Sequence, residues 1–468
     1  MSSTQPVEFH GRVVILGFGA IGQAILPLVL RDVRMPPSRI EVVEPTGDAA
    51  QILRGSGVAH AQLALDPQNY SAELGRRLSQ GDILLNLSVD VASVALMRWC
   101  QQQGVLYLDA CTEPWPGVHD DPARPLAERT NYRRREEVLA IQRAETSRTT
   151  ALVTLGANPG LVSFFVKRAL LELAGPGSPT PGTRQEWAAL ARGLDVRAIH
   201  VSERDSQVAD RRKQAGEFVN TWSIEGFAGE GLQPAELGWG THERHFPADG
   251  HRHVHGSQAA IYLGRPGLGT RVRSWAPIAG PFTGYLVTHA ESISIADHLT
   301  VGDPAAPDYR PTVHYAYHPC DDAVLSIREL EGRHWRLQEQ HRMLRDDILS
   351  GVDELGVLLM SGTHGAYWYG SQLSIDQARA LAPMNNATTL QVAAPLVAGL
   401  RWAIEHPQEG VLEPDDLPHA AMLDVAMPYL GDVVGVRTDW TPLQDAPRLF
   451  DEHLDRSDPW QFANVRIP

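Results

Sequence analysis

The residues best suited to chemistry begin at a run of spaced glycines. Gly17-Phe18-Gly19-Ala20-Ile21-Gly22 reads G-x-G-x-x-G, a spacing that suits a dinucleotide pyrophosphate. The first glycine permits a tight turn, the second lets backbone approach the phosphates, and the third lets a helix lie close on a strand. A helix opening there aims its unpaired N–H groups at the phosphates. Glu44 stands 22 residues past Gly22, at the end of a second apolar run. An acid there accepts hydrogen bonds from ribose hydroxyls and repels a 2′-phosphate, so NAD is expected rather than NADP. Leu87, Asp109 and Ala157 join the glycine run as cofactor-side residues, and Asn86 and Ser88 read as facing cofactor more than substrate.

Elsewhere the reactive groups are acids and aromatics rather than amines. Lys167 and Lys213 are the two lysines among 41 basic residues. A covalent enzyme–substrate imine needs a lysine. Lys213 lies in the polar run RRKQ and Lys167 in a helix after LVSFF, and neither reads as a buried nucleophile. Amine chemistry here would therefore pass through a free imine. Trp222, in VNTWS, could hold an ammonium over its indole face, an attraction of roughly 2 kcal/mol when desolvated; a core position is the commoner fate of a tryptophan. His289 follows the apolar run Tyr285–Thr288 and could take an amine proton as a base near neutral pH, or be an ordinary buried histidine. Asp109 and Glu113 (in DACTEPW) and Asp90 (after LLNLSV) each follow a buried strand, where ligands of open α/β sheets bind. Asn158, in Asn-Pro, either orients a ligand or closes a simple turn. Glu203, in VSERD, either pairs with an amine or is a solvated surface acid. His242, His245, His251, His253 and His255 fit no zinc spacing and read as loop and strand surface. No metal is expected.

These groups need a scaffold, and the apolar runs supply one. Val13–Leu16, Ile40–Val43, Asp82–Leu87 and Val105–Leu108 read as buried strands, with helical patterns at 21–30, 71–80, 91–103 and 128–146. Alternating strands and helices give a Rossmann-type, doubly wound parallel sheet. From about 190 to 335, short apolar runs at Val196–Val201, Ala259–Leu263, Tyr285–Thr288, Ser292–Ile295 and Thr312–Tyr317 suggest a second α+β domain with a largely antiparallel sheet. Helical spacing returns at Ala387–His406, with Asn386 as its cap. The division expected is 1–150 for the dinucleotide domain, 151–375 for the substrate and dimerisation domain, and 376–468 for C-terminal helices returning to the first.

Composition removes other classes. Against 41 basic residues stand 56 acidic ones, a net charge of −15, which leaves no basic patch for nucleic acid. The 18 uncharged residues between Arg12 and Arg31 mimic a membrane span in length, but three glycines and Pro27 break the run. The residues before it lack the positive start of a signal peptide. Three cysteines without a C-x-x-C pair fit a reducing compartment, so the cytoplasm is expected.

Longer stretches carry a resemblance. VVILGFGAIGQ, LNLSVD, LYLDACTEPW, LGANPGLVS, VSERDSQ, EGLQPAELGWGTHE and MNNATTLQ make the chain similar to the bacterial homospermidine synthases, relatives of the saccharopine dehydrogenases. The likeness runs from Arg12 to the C-terminal helices. It implies NAD held as a prosthetic group, diamine or polyamine substrates, and a homodimer. It also implies a reaction: two putrescines give homospermidine and ammonia with no net redox change. By position it implies Asn158, Glu203, Trp222, Glu230 and His289 around the amine, with Asp90 and Glu113 nearer the entrance. The rivals are an imine reductase of the saccharopine or carboxynorspermidine type, whose carboxylate substrates call for arginines, and a non-catalytic NAD-responsive regulator.

Overall fold

The computed structural model describes residues 5–119, 121–144, 147–444 and 454–468. The chain divides into two compact units. The first comprises Met1–Asp121, Arg133–Leu161 and Asp376–Leu430; the second comprises Pro122–Tyr132, Val162–Ile375 and Gly431–Pro468. The stretch from 376 onward was expected to stay with the first unit throughout. Beyond Leu430 it does not, because the strand Asp432–Thr438 pairs antiparallel with Gly365–Ser374 of the second.

In the first unit seven strands lie in the spatial order Ala59–Gln62, Ile40–Glu44, Val13–Leu16, Ile83–Asn86, Leu106–Asp109, Ala151–Leu152, Val411–Leu412. Every pairing is parallel. Growth in both directions from Val13–Leu16 makes the sheet doubly wound, and the crevice of such a sheet opens at the carboxyl ends of its strands. The four central strands are buried almost throughout, as expected of strands covered on both faces. The helix Asn131–Ala144 falls within the expected 128–146; residues 145 and 146 lie outside the described residues. The helix Ala387–Glu405 starts at a capping box, with the Asn386 side chain accepting from the Thr389 N–H at 2.8 Å. It packs on the helix Ala20–Asp32, where Asn385 donates to the Ala24 carbonyl at 3.1 Å. A buried Arg135–Glu413 pair, with N–O distances of 2.6 and 2.7 Å, ties Asn131–Ala144 to the end of the last strand.

The second unit is built on an eleven-stranded mixed sheet. Strand Val196–Asp205 lies parallel to Thr312–His318 and antiparallel to Val352–Ser361, and the other pairings in this sheet are antiparallel. Ser292–Ile295, expected as strand, lies in the helix Ala290–His298. Glu291 through His298 are all buried. A short helix buried on every side, its polar residues included, carries no amphipathic period, so its run of four cannot be told from a buried strand. No helix among the described residues is long and apolar enough to cross a membrane.

Candidate active site

The first unit carries a cradle. Gly17 has φ +89°, and a Cβ there would stand 2.6 Å from the Leu87 carbonyl oxygen; a Cβ on Gly22 would stand 2.4 Å from the Gly17 oxygen. Both positions are closed to any side chain. Gly19 differs, since a Cβ there would meet no atom within 4 Å, so its bareness serves something outside the fold. Gly19 caps the helix Ala20–Asp32, which has no side-chain cap and no acid in its first turn. The first N–H groups are thus left for an anion. Phe18 and Ala20 are buried and Ile21 is half-buried. These features fit a dinucleotide pyrophosphate.

Glu44 ends its strand as expected. Burial pushes its carboxyl up, but the Thr46 hydroxyl (2.7 Å), the Thr46 N–H (2.6 Å) and the Gly47 N–H (2.6 Å) outweigh that and hold it below the usual range. The Ala49 N–H lowers it further, so backbone donors hold an ionised carboxylate at the strand end where a ribose-binding acid was expected. Asn86 is buried and accepts from the Ser88 hydroxyl at 2.6 Å, which shapes the Leu87–Ser88 loop that walls Gly17.

Asp109 was read as facing cofactor. It is instead wholly enclosed, accepting from the Tyr107 hydroxyl (2.7 Å) and the Thr154 N–H (2.6 Å), and burial lifts its pKa to about 7. Its carboxylate braces the strand ends. Asp90 is exposed with φ +64°. Glu113 is half-buried; the loop carrying it is closed by the Glu113 N–H on Ser93 Oγ at 3.0 Å, and its carboxylate accepts from the Cys111 thiol at 3.4 Å. Asn158 is half-buried and Ala157 buried, in the loop closed by the Gly156 N–H on the Pro159 carbonyl at 2.7 Å.

The second unit brings the four remaining groups, Glu203, Trp222, Glu230 and His289, together. His289 caps the helix Ala290–His298. Its Nε2 donates to Glu230 Oε2 at 3.0 Å, and its Nδ1 lies 3.4 Å from Glu291 Oε1. Burial pushes the imidazole down, but the two carboxylates overcome this and lift it to about 10. The expected neutral base is therefore an imidazolium in this arrangement. Its ring lies 4.5 Å from that of Tyr315, whose hydroxyl donates to Glu203 Oε2 at 2.6 Å. Strand alternation puts Tyr317 on the same face as Tyr315, stacked at 5.2 Å. The Tyr317 hydroxyl accepts from Trp222 Nε1 at 3.2 Å, while Phe227 holds the indole at 5.4 Å.

Formal charge says what this cluster wants. Two carboxylates against one imidazolium leave one negative charge, and Glu203 adds a second. Among the described residues His289 is the one cation within ion-pair distance of Glu230 and Glu291. An acid-walled, aromatic site of this kind attracts a dication. Lys213 pairs with Glu329, and the Lys167 ammonium sits 5.5 Å over the Trp187 ring.

Glu291, Tyr315 and Tyr317 escaped the sequence reading. Glu291 lies two residues past His289, but its segment read as strand, which hid a helix N-terminal acid. The tyrosines read simply as strand aromatics. The histidine cluster disperses onto separate partners: His242 on the Trp460 carbonyl, His245 on Asp455, and His253 stacked on Tyr132 at 3.7 Å.

A homospermidine synthase of Blastochloris viridis is 50% identical over 467 residues, covering 98% of each chain. The chain belongs to the homospermidine synthase family. A second family member, from Mesorhizobium japonicum, is 48% identical over 470 residues, covering 98% of this chain and 97% of its own. The solved homospermidine synthase of Legionella pneumophila, determined in complex with NAD, superposes with a TM-score of 0.93 at 48% identity over 100% of both chains. Family models describe residues 13–152 as a saccharopine dehydrogenase NADP binding domain and 156–437 as a saccharopine dehydrogenase C-terminal domain. Yeast saccharopine dehydrogenase shares the fold alone, with a TM-score of 0.50 and 12% identity over 90% of this chain and 96% of its own.

Proposed function

We propose that the protein is a homospermidine synthase. Two putrescines give homospermidine and ammonia, or putrescine and spermidine give homospermidine and 1,3-diaminopropane. The observation that carries this reading is the charge of the cluster around His289, two acids in excess and walled by Trp222 and the tyrosines, in a chain of this family. NAD, held by Gly17–Gly22 and Glu44, supplies a hydride acceptor that also gives the hydride back.

The chain's own residues do the rest. Glu203 and Glu230 hold ammonium groups, with Glu291 behind His289, and Asn158 orients the reacting amine. Trp222 offers its indole face to the cation or iminium, and Tyr317 fixes the ring by taking its N–H. An arriving diamine shares the negative charge of Glu230 and Glu291, so the imidazolium loses part of what keeps it protonated. His289 then hands its proton to the departing amine, acting first as an acid and afterwards as the base that recovers it. Asp90 and Glu113, on the first unit, attract the incoming dication. A homodimer and a cytoplasmic location belong to the same reading, and three cysteines outside any disulfide suit a reducing compartment.

Purified protein incubated with putrescine deuterated at the carbons beside nitrogen tests the proposal. Homospermidine that keeps the migrating deuterium, with no net NADH, is expected. Lasting NADH points instead to an imine dehydrogenase, and untouched putrescine to a regulator.

A further inference from the structure

A cavity of about 400 Å³ lies wholly within the second unit, with Trp239, Glu243, Arg252, Ala305, Pro307 and Arg310 in its wall. This size falls in the range of small-molecule sites. Its charge is out of character for an acidic chain. Arg310 is 4% exposed, yet no carboxylate among the described residues lies within ion-pair distance of it. Its donors go to neutral oxygens: Nε to the Thr300 hydroxyl (2.9 Å), Nη1 to the Gln258 carbonyl (2.9 Å) and Nη2 to the Pro304 carbonyl (2.9 Å). Three of five N–H groups are thereby used and two remain. Buried charges are ordinarily paired, and this one is not.

Arg252, on the same wall and exposed, likewise has no carboxylate partner among the described residues, and its guanidinium rests 4.5 Å over the Phe246 ring. Glu243 shares the wall, but its oxygens are occupied, accepting from the Thr312 hydroxyl at 2.7 Å and the Phe462 N–H at 2.9 Å. The rest of the wall is mixed: Trp239, Ala260, Pro304, Ala305 and Pro307 give it an apolar side, and Thr241, His253 and Gln258 add polar groups. Two guanidiniums without a carboxylate partner, lining one cavity with an indole and two prolines, describe a receptor for an anion with an apolar body.

We propose that this cavity binds a small organic oxyanion, a carboxylate or phosphate ester, at a site separate from the amine cluster. The carboxylate or phosphate pairs with Arg310 and Arg252, and the body of the ligand lies against Trp239. The acids of the amine cluster would repel such a ligand, which is why the two sites cannot exchange occupants.

The test is calorimetric titration of the protein saturated with NAD, which blocks the pyrophosphate cradle. Phenyl phosphate and benzoate are the probes, with benzyl alcohol as the neutral control. Binding of at least one anion with no response to the alcohol is expected, and the tighter anion tells phosphate ester from carboxylate. Arg252→Ala should weaken that binding at least tenfold while turnover of putrescine is unchanged. Arg310→Lys should weaken it too, and Arg252→Ala keeps the test decisive if the loss of contacts to the Thr300 hydroxyl and the Gln258 and Pro304 carbonyls unfolds the lysine variant. Absence of binding by both anions, or binding indifferent to Arg252→Ala, overturns the proposal.

Discussion

Glu291→Gln should bring His289 from an imidazolium into the neutral titration range. The imidazole is buried, which alone drives its pKa below the ordinary 6.5; the carboxylates at 3.0 and 3.4 Å reverse this and carry it to about 10. At 1.36 kcal/mol per pKa unit the net preference for the charged ring is on the order of 5 kcal/mol. The gross attraction is larger, because it first cancels the burial penalty. Glutamine removes one of two similarly placed charges and leaves the penalty whole, so about half the attraction or more disappears and the ring should titrate near neutrality. The measurement is the pH dependence of the His289 Cε1–H resonance in wild type and variant, assigned with His289→Gln. In turnover, the alkaline limb of the pH profile should move to lower pH, because the proton donor is exhausted sooner. Stability follows the same sign. A folded-state pKa above the unfolded one contributes fully below about pH 6.5 and is lost as pH rises through about 10. The variant's deficit should therefore be greatest below pH 6.5 and shrink toward pH 10. A wild-type resonance already titrating near 6.5, or one that Glu291→Gln leaves in place, refutes the electrostatic argument.

Three further outcomes follow from the same geometry. Gly19→Ala should fold and melt like wild type yet purify without NAD, whereas Gly17→Ala, strained at φ +89° against Leu87, should lose stability as well; cofactor content and melting curves separate them. Trp222→Ala should cost about 30-fold in kcat/KM, the equivalent of roughly 2 kcal/mol of cation–π attraction, while NAD affinity measured by fluorescence stays within a few-fold. Arg135→Met strands the buried Glu413 carboxylate and should cost about 3–5 kcal/mol in chemical denaturation, with Arg135→Met/Glu413→Leu recovering much of it.

The first unit was legible because its signals are local. A glycine spacing, an acid at a fixed distance and four buried apolar runs each determine their own neighbourhood, and the sheet follows from their alternation. Asn386 announced its helix for the same reason. The amine site was only half legible. Trp222, Glu203, Glu230 and His289 entered mainly through resemblance, since the residues flanking Trp222, Glu203 and His289 favour a bland reading of each. What keeps the His289 ring protonated is Glu291 two residues on and Glu230 from another helix, a juxtaposition that no spacing encodes. Asp109 failed in the opposite way: its position at a strand end was read correctly, but Tyr107 and Thr154 enclose the carboxylate and take the hydrogen bonds a ligand would need.

The first unit is written in three separated passages of the chain, and its seventh strand and the helix Ala387–Glu405 arrive only near the close of synthesis. A ribosome that has delivered every glycine of the cradle has still not delivered the helix that backs it. Truncation near residue 375 should therefore yield a dinucleotide unit with an open sheet edge and an uncovered apolar face, prone to association. For an engineer, the portable dinucleotide module is a fusion of the dispersed passages, not an amino-terminal fragment.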